Sequence, residues 1–575
     1  MHLPMLDIVV LLVYVAGVVA FGCWFVRKSR TSDEFMAAAR SLPGWAVGLS
    51  IFGTFLSSNT FLGVPGNAYG GNWNRFVFSL SIPVAAVVAV KVFVPFFRRS
   101  GEISAYHHLE GRFGPWARTY AVVCYLLLQV SRVGSIMFGV ALALRALTGW
   151  PMAPIIIAMG GLVTAYTLLG GIEAVIWTDV VQSLVLIVGV LVVAGMLLVG
   201  MPEGPGQIFS IGAAEGKFSL GGFGASLSEP TFWVVLAYGL VINLGNFGID
   251  QNYVQRYHAA RSDGAARRSV WLGGLLYVPI SLVFFFVGTS LFAYYQTHPE
   301  MRAEVARTVA EERLRAEGAS ADDAGYPAAL EREAGALSAR DIGDKVLPHF
   351  IVRQLPAGLT GLLIAAIFAA AMSSVDTSLN SSATITLSDI YKRYFRPQAS
   401  EKEAMRVLRG ATLVWGAIGT GVAVAMIGVE SVLDAWWTLA GTFTGALVGL
   451  FLLGLVSRRV RSPAAAVGAV VGLLVILWMS LSFVVAAALA GVCVVWLLLR
   501  LASPRAAAIV ATAATAAVLI GHIVLLRWYP LPWYQEWANF AKSPFHELLT
   551  SVVGTATIIL VGLLAGLVWN GRARA

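Results

Sequence analysis

The chain has 575 residues, of which 58% are hydrophobic and 12% are charged, and its mean hydropathy is +0.76. A soluble protein carries about 25% charged residues, so this composition excludes a chain of several water-soluble domains. The net charge of +9 does not require a nucleic-acid partner, because the basic residues follow the membrane topology described below. The three cysteines lie inside apolar runs and form no CxxC pair, which leaves no basis for a disulfide framework or a zinc centre.

The first apolar run covers residues 6–26, with Asp7 near its start and Arg27, Lys28 and Arg30 after its end. A secretory signal peptide has the opposite order, because its positive charge precedes the apolar stretch. We therefore expect this run to remain in the protein as the first membrane span.

Further apolar runs follow along the chain. A helix needs about 20 apolar residues to cross the hydrocarbon core of a bilayer. About fifteen runs reach this length and predict spans at 6–26, 44–66, 74–96, 117–147, 152–169, 175–200, 231–250, 270–296, 346–390, 408–428, 431–456, 463–481, 483–501, 507–526 and 549–570. The pair 463–481 and 483–501 has almost no loop between its members. If that pair formed one helix, every later segment would reverse its orientation.

The Lys and Arg residues predict the orientation. Placing the N-terminus outside puts most of the 40 basic residues in cytoplasmic segments, as the positive-inside rule requires. The short outside loops then hold Arg75, Lys217, Arg527 and Lys542. The outside loop 297–345 is exempt because of its length, and its Ala, Glu and Arg content suggests helices with solvated, charged faces. We expect an integral, multi-pass protein of the plasma or inner membrane with a cytoplasmic C-terminus.

A cluster of polar residues interrupts the second span, in the sequence GLSIFGTFLSSNTFLGVPGNAYGG. Consecutive polar residues at its middle, and Gly63, Pro65 and Gly66 in its outer half, weaken the helix. A discontinuous helix exposes carbonyl oxygens that can bind a cation. The alternative is a packing face of small residues, but such a face needs a spacing of four rather than a consecutive run.

A second cluster lies in the ninth span, in the sequence AAIFAAAMSSVDTSLNSSATITLSDIYKRY. Hydroxyl and carbonyl oxygens are hard ligands that suit an alkali cation. Ser373, Ser374 and Thr377 fall within about one helical turn, so part of the cluster can converge on one ion. A serine-rich packing face is the alternative, and Asp376 argues against it because a charge inside a membrane is costly.

Two further segments carry polar residues at membrane depth. Asp179 follows a glycine-rich turn and is either functional or a helix cap. Asn243, Gly245, Asn246 and Gly248 weaken the seventh span. The weakened second and seventh spans begin two successive groups of five spans, which have opposite orientation because five is odd. Interrupted helices at matching places in two inverted repeats indicate a transporter binding site.

The motifs that carry these residues resemble those of the sodium:solute symporter family. The matching stretches are HLEGRFGPWAR (108–118), GGIEAVIWTDVVQ (170–182), DQNYVQRY (250–257) and AAAMSSVDTSLNSSATITLSDIY (369–391). The resemblance implies an all-α polytopic membrane protein with a leucine-transporter-type fold. Its parts would be a leading helix and loop (1–43), two inverted five-helix repeats (44–200 and 231–460), an extracellular insertion (297–345) and additional C-terminal helices (461–575).

The same resemblance implies the ligands of a co-transported sodium ion, the sole cofactor that we expect. In this family, carbonyl oxygens of the broken helix and carbonyl and hydroxyl oxygens of the serine-rich helix bind one sodium. The corresponding residues here are Gly53, Leu56, Ala370, Ser373 and Ser374. Some members bind a second sodium, for which the corresponding residues are Asp179, Asp376 and Thr377, with Asp376 in place of a hydroxyl residue.

Arg132 suggests the chemical class of the substrate. A buried guanidinium pairs well with a carboxylate. In the sialic acid carriers of the family, an arginine at what looks like this position contacts the substrate's carboxylate. The alternative is an internal Asp or Glu partner from another helix. The residues expected to line the same cavity are Ser57, Ser58, Thr60, Asn243, Asn246 and Phe247.

These features predict a secondary active transporter, not an enzyme, that couples import of a small organic solute to sodium by alternating access. A carboxylate such as a sialic acid or a monocarboxylate is the expected substrate, and a sugar or polyol is the alternative. The expected partners are the solute, sodium and the lipid bilayer, without nucleic acid and without an obligate protein partner.

Three other classes are less consistent with the sequence. A channel would need a polar stripe through several spans, whereas the polar residues here concentrate at mid-depth in a few helices. A membrane enzyme would need converging catalytic groups, and the eight histidines are scattered. For a receptor derived from a symporter we would expect a signalling domain after the last span, and the sequence gives no reason to expect one.

Overall fold

Helices account for the secondary structure of the described chain. The computed structural model describes residues 4–320, 325–427, 432–502, 504–527, 533, 536 and 542–572. In chain order, the α-helices of these ranges are α1 (Met5–Trp24), α2 (Ser32–Ala37), α3 (Gly44–Phe55), α4 (Ser58–Gly70), α5 (Val77–Leu80), α6 (Ile82–Val88), α7 (Val94–Ser100), α8 (His107–Phe113), α9 (Pro115–Thr148), α10 (Met152–Val199), α11 (Gly206–Ala214), α12 (Phe232–Ile249), α13 (Gln251–Ala259), α14 (Asp263–Thr297), α15 (Pro299–Ala316), α16 (Tyr326–Ala336), α17 (Ala339–Gln354), α18 (Leu359–Ile385), α19 (Glu401–Ala425), α20 (Val432–Val456), α21 (Ser462–Ser480), α22 (Phe483–Ala502), α23 (Pro504–Arg527) and α24 (Leu549–Arg572). Short 3-10 or π segments connect or extend several of them, such as Thr386–Phe395 after α18.

Ten helices of the described ranges are long and apolar enough to cross a membrane, and the number is eleven if the bent pair α3 and α4 counts as one span. Lipid is therefore the main solvent of this chain. The prediction of an all-α, integral, multi-pass membrane protein is confirmed. Three shorter apolar helices, Phe443–Val456, Phe483–Trp496 and Val510–Leu519, overlap predicted spans in the last third of the chain.

The helix α10 is too long for one crossing, because its 48 residues extend about 72 Å and the hydrocarbon core is about 30 Å thick. Gly171 divides it, with φ 59° and ψ −155°, a conformation that is open essentially to glycine alone. A Cβ atom at this glycine would lie 2.8 Å from the carbonyl oxygen of Phe35. The predicted spans 152–169 and 175–200 lie on either side of this break.

The second span is broken, as predicted. Helix α3 ends at Phe55, Leu56 and Ser57 are extended, and α4 continues in a direction bent by 51°. The Thr60 amide donates to the Ser57 hydroxyl and the Ser57 amide donates to the Thr60 hydroxyl, each at 3.4 Å. The polar run breaks the helix because its side chains supply the hydrogen bonds that a new helix N-terminus needs.

The seventh predicted span breaks later than we expected. The residues 243–248 were expected to interrupt it, but α12 is continuous to its end at Ile249, so this placement is wrong. The break falls at Asp250, which has ψ 117°. Its carboxylate accepts a hydrogen bond from the Asn252 amide at 2.8 Å and so caps α13.

The predicted span 346–390 covers parts of two helices, α17 and α18, so its predicted start is wrong; the helix that is long and apolar enough to cross a membrane is Leu359–Phe395. Pro356 and Gly358 lie in the turn between them, where Gly358 has φ 91°, and neither residue favours a continuous helix. Asp7 of α1 then caps α18. Its Oδ1 accepts hydrogen bonds from the amides of Gly358 and Gly361 at 2.6 and 2.7 Å. The acidic residue in the first apolar run therefore caps the N-terminus of the serine-rich helix.

The insertion 297–345 is helical and consists of α15, α16 and the start of α17. Ion pairs join its partly exposed helix faces, including Arg313 with Asp341 at 2.6 Å. Hydrogen bonds from the Ser338 hydroxyl and from Arg313 hold the pKa of Asp341 at about 2. The prediction of helices with solvated, charged faces is confirmed.

The chain forms two compact units. The first contains both helix breaks and α18 and comprises Met1–Ala105, Gln129–Gly221 and Asn246–Leu433. The second comprises Tyr106–Leu128, Gly222–Gly245 and Asp434–Ala575. Within the second unit, α21 packs closely on α24. A Cβ atom added to Gly468 would lie 3.0 Å from the Cα atom of Gly562, so glycine at this position permits the close approach of the two helices. The division into a leading helix, two inverted repeats and C-terminal helices stays a prediction.

We expect Gly171→Ala to destabilise the protein by about 1–3 kcal/mol, because alanine rarely adopts this backbone conformation and its Cβ would meet Phe35. The melting temperature of the purified protein in detergent should fall. Gly161→Ala is the matched control on the same helix, because no neighbouring atom of the described chain lies within 4 Å of the added Cβ. Equal melting temperatures for the two variants would contradict the break at Gly171.

Candidate functional site

A buried ion pair lies in the first unit. The Nη2 atom of Arg256 and the Oδ2 atom of Asp179 are 2.8 Å apart, and both side chains have 0% exposure. Removing two charges from water can cost more than their attraction gains unless their remaining donors and acceptors are also hydrogen-bonded. The surroundings of this pair meet that condition.

Side chains from two further helices complete the hydrogen bonding of this pair. Arg256 donates to the hydroxyls of Ser50 and Thr377, each at 2.7 Å, and to the carbonyl of Asn252 in its own helix. Asp179 accepts from the hydroxyl of Ser50 and, at 2.5 Å, from that of Ser373. Helices α3, α10, α13 and α18 therefore meet at one place. We call this group the Asp179–Arg256 cluster; it comprises Ser50, Asp179, Asn252, Arg256, Ser373 and Thr377.

The residues predicted for the first sodium site lie beside this cluster. Gly53, in the last turn of α3, faces α18 so closely that a Cβ atom would be 3.1 Å from the Oγ atom of Ser373. Leu56 and Ala370 are fully buried, at the helix break and in α18 respectively. The Oγ atom of Ser374 is buried and has no hydrogen-bond partner among the described residues. The structure thus brings the broken helix and the serine pair to one place.

The chemistry of this place suits a small hard cation. Because α3 ends at Phe55, carbonyl groups of its last turn lack the amide partners that a continuing helix would supply. Those carbonyls and the hydroxyls of Ser373 and Ser374 are oxygen donors of the type that sodium prefers over softer ligands.

The residues predicted for a second sodium site have a different environment. Asp179 and Thr377 both contact the guanidinium of Arg256, which already supplies a positive charge beside them. Asp376 accepts a hydrogen bond from the Tyr166 hydroxyl at 2.5 Å through Oδ2. Its Oδ1 atom is buried and has no partner within the described chain. A sodium ion beside Asp179 and Thr377 would have to replace the guanidinium, whereas Asp376 has an oxygen available.

Arg132 lies between the two helix breaks. Its Nη2 atom donates to the carbonyl of Thr54, near the end of α3, at 2.9 Å. Its Nη1 atom is 3.8 Å from the Oδ2 atom of Asp250, which separates α12 from α13. The two charged side chains keep 15% and 12% exposure. The internal carboxylate that the sequence left open as an alternative is therefore present, at a distance too long for a hydrogen bond.

Two of the other residues predicted to line the substrate cavity form hydrogen bonds at the break in the second span. Ser57 and Thr60 cap α4 with their hydroxyls. The side chain of Ser58 lies outside the described part of the chain.

The remaining predicted cavity residues lie on α12. The ring of Phe247 is fully buried and packs edge-on against the rings of Phe55 and Tyr253. Asn246 is partly exposed in the same unit. Asn243 is buried and belongs to the second unit. Their roles in a substrate cavity stay predictions.

Three members of the cluster were not singled out from the sequence, namely Ser50, Asn252 and Arg256. All nine residues of α13, which contains Arg256, are buried. The available signal was a run of long polar side chains directly after an apolar helix, including Gln251, Gln255 and Arg256. Buried polar groups of this kind need hydrogen-bond partners, which points to a polar core.

The chain is similar to known membrane transporters. It matches the model of the sodium:solute symporter family over residues 35–319 and 323–475. It is 31% identical to the sodium/sialic acid symporter NanT of Aliivibrio fischeri over 477 residues, which cover 82% of this chain and 87% of that protein. It is 32% identical to the sodium/sialic acid symporter SiaT of Proteus mirabilis over 472 residues, which cover 81% and 88% of the two chains.

Solved structures give a consistent picture. A structure described as the substrate-bound outward-open state of a Na+-coupled sialic acid symporter matches this chain with a TM-score of 0.75 and 27% identity over 98% of both chains. The expected fold class is therefore confirmed. A relative with a different printed substrate, the sodium-coupled monocarboxylate transporter 2 of Bos taurus, is 28% identical over 81% of this chain and 70% of its own length.

We expect Arg256→Met to lower the free energy of unfolding by about 3–5 kcal/mol, because it leaves the carboxylate of Asp179 buried without a counter-charge. The melting temperature in detergent measures this loss. The double variant Asp179→Asn with Arg256→Met should recover part of it, because no charge is then left unpaired. Arg267→Met is the control, since it removes an exposed arginine. An Arg256→Met variant as stable as that control would refute the importance of the pair.

Proposed function

Because the chain belongs to the sodium:solute symporter family, we propose that it imports a carboxylate-bearing organic solute by sodium-coupled symport with alternating access. The observation that carries the proposal is the close approach of Gly53, at the helix break, to Ser373 on the serine-rich helix. It supports a site in which one sodium ion joins these two helices.

The proposed ligands of this first sodium are the carbonyl oxygens of Gly53, Leu56 and Ala370 and the hydroxyls of Ser373 and Ser374. The hydroxyl of Ser374, which has no hydrogen-bond partner within the described ranges, supports the assignment, because a buried hydroxyl without a partner is costly and a bound cation would satisfy it. The Ser373 hydroxyl donates to Asp179, which leaves its oxygen lone pairs available to a cation.

The proposed transport cycle follows from where the ion binds. Sodium entering from outside joins α3 to α18 and stabilises the form of the carrier that is open to the outside. Each ion that crosses a potential of 100 mV releases about 2.3 kcal/mol. A carboxylate that crosses with one sodium ion carries the opposite charge, so this pair moves no net charge and the sodium concentration gradient alone drives it. A tenfold sodium gradient supplies about 1.4 kcal/mol, which suffices to concentrate the solute about tenfold, and the potential adds to this only for a further ion. The inverted repeats would supply the two halves that move against each other.

Arg132 supports a carboxylate as the substrate. Its guanidinium is not fully buried, and its pairing with Asp250 at 3.8 Å is loose. A substrate carboxylate could accept two parallel, charge-assisted hydrogen bonds from such a group, whereas a neutral sugar has no charge to pair with it. The printed names of the relatives, sodium/sialic acid symporters and sodium-coupled monocarboxylate transporters, agree with this class of substrate.

A second sodium site at Asp179, Asp376 and Thr377 is also a proposal. The Oδ1 atom of Asp376 supports it, because that atom is buried and no described residue donates a hydrogen bond to it. The guanidinium of Arg256 would compete with the ion for Asp179 and Thr377.

We also propose the orientation and the compartment. The basic segments at one set of helix ends support an N-terminus outside and a C-terminus in the cytoplasm of the plasma or inner membrane. Solute and sodium would then both enter from the outside.

We expect Ser374→Ala to reduce sodium affinity by about tenfold or more, because it removes one hydroxyl ligand from a charged ion. Sodium should raise the melting temperature of the wild-type protein, and the concentration needed for half of this effect measures affinity. In sodium-free buffer the variant should be about as stable as the wild type, because the lost hydroxyl has no hydrogen-bond partner among the described residues.

The matched control for this variant is Ser378→Ala in the same helix, whose hydroxyl donates to the carbonyl of Ser374 at 2.8 Å instead of being free. Its response to sodium should equal that of the wild type. If Ser374→Ala also responds like the wild type, the assignment of the first sodium site is wrong.

A thermal-shift screen with sodium tests the substrate class. We expect sialic acid or a small monocarboxylate such as pyruvate to raise the melting temperature in sodium chloride but not in potassium chloride, because sodium organises the cavity. Sugars and amino acids are the comparison ligands. Stabilisation by a neutral sugar with no effect of carboxylates would contradict the interpretation of Arg132.

A further inference from the structure

The two ion pairs near the helix breaks differ in a way that points to different tasks. The pair of Arg256 with Asp179 is 2.8 Å long, has 0% exposure on both sides and has its remaining groups hydrogen-bonded. The pair of Arg132 with Asp250 is 3.8 Å long and partly exposed. Of the five N–H donors of the Arg132 guanidinium, the described residues engage one, through the carbonyl of Thr54. The surrounding hydrogen bonds therefore hold the first pair together, whereas the guanidinium of the second pair has N–H donors available for another acceptor.

The two carboxylate oxygens of Asp250 have different partners. One oxygen, Oδ1, accepts a hydrogen bond from the Asn252 amide at 2.8 Å and caps α13. The other, Oδ2, faces Arg132. The cap holds Asp250 at the break between α12 and α13 whether or not Arg132 is beside it. Asp250 can therefore lose its contact with Arg132 without any rearrangement of the backbone.

The surroundings of Asp250 also limit the cost of that loss. The Oδ1 atom of Asp250 keeps its hydrogen bond from the Asn252 amide, and the side chain retains 12% exposure. When Arg132 turns to another anion, Asp250 is thus not left as a charge without any hydrogen-bond partner or solvent.

From this geometry, and on the basis of the proposed function above, we infer that Asp250 occupies Arg132 in place of the substrate's carboxylate when the carrier is empty. An incoming carboxylate replaces Asp250 at the guanidinium, and Asp250 returns when the substrate leaves. A neutral solute carries no negative charge that could replace the carboxylate of Asp250 at the guanidinium of Arg132. Asp250 therefore sets the affinity for anionic substrates and contributes to the rejection of neutral ones.

Competition of this kind lowers the apparent affinity of the substrate. The apparent dissociation constant is the intrinsic one divided by the fraction of carriers in which Arg132 is available. Removing the charge of Asp250 raises that fraction. Asp250→Asn is the appropriate change because asparagine also caps helices, so the start of α13 keeps its hydrogen bond while the ion pair is lost.

The test is equilibrium binding to the purified full-length carrier in saturating sodium chloride, with sialic acid, pyruvate and the uncharged methyl ester of sialic acid as probes. We expect Asp250→Asn to bind the acids about tenfold more tightly than the wild type, with little change for the ester. Arg132→Gln should bind the acids at least about tenfold more weakly and lose the preference for the acid over the ester. Sodium-induced stabilisation of Asp250→Asn establishes that this variant is folded.

Asp263→Asn is the matched control, because it also removes a carboxylate from an arginine, Arg98, but at the start of α14. Its affinities should equal those of the wild type. Folded Asp250→Asn protein that binds the acids as the wild type does, or more weakly, overturns the role of Asp250 while leaving the carboxylate class intact. A wild-type carrier that binds neither acid, or prefers the ester, refutes the carboxylate class itself, and the role of Asp250 with it.

Discussion

The ion pair between Asp179 and Arg256 is the interaction on which the geometry of the candidate site depends. Two opposite charges with no exposure inside a membrane are tolerated as a pair and not singly. Separating the helices that carry them therefore has a high cost in free energy. Ser50 ties the broken helix α3 to this pair, and Ser373 ties the serine-rich helix α18 to it. The two helices that would bind sodium are thus held close before any ion arrives, which reduces the cost of organising the site.

The helix breaks depend on a second constraint, the need of every helix end for hydrogen-bond partners. Side-chain oxygens accept hydrogen bonds from the first amides of three helices. Ser57 does so at the start of α4, Asp250 at the start of α13, and Asp7 at the start of α18. Arg132 satisfies a carbonyl at the end of α3. Irregular backbone can therefore exist at membrane depth, where the proposed function would use its carbonyl oxygens for an ion and the guanidinium for a solute. Under that proposal, function and stability depend on the same polar atoms.

Local patterns in the sequence were sufficient for much of this picture. Apolar length predicted most of the spans, and the run of polar residues around Ser57 predicted the break in the second span, because its capping groups lie within a few residues of each other. The serine-rich stretch likewise identified α18. Hydropathy alone missed the turn at Pro356 and Gly358, because a short turn changes the average of a long apolar window very little.

The parts that sequence reasoning missed depend on distant partners. The burial of Arg256 is explained by Asp179 and Ser50, which are remote in sequence and approach it only in the folded chain. The break at Asp250 was misplaced because asparagines and glycines nearby gave a stronger local signal than a single aspartate. Arg132 was recognised as a residue that needs an anion, but the sequence left its internal partner open. Pairing between distant residues is therefore the information that local patterns lacked.

The central claim is that a sodium gradient drives a carboxylate-bearing solute through this protein. The most direct measurement is uptake of radiolabelled sialic acid and pyruvate into proteoliposomes containing the purified carrier, with an inward sodium gradient. We expect at least one of these solutes to accumulate inside to a concentration above that outside, and the accumulation to disappear when a sodium ionophore collapses the gradient. Equal uptake with potassium in place of sodium, or uptake that never exceeds the outside concentration, would contradict the account.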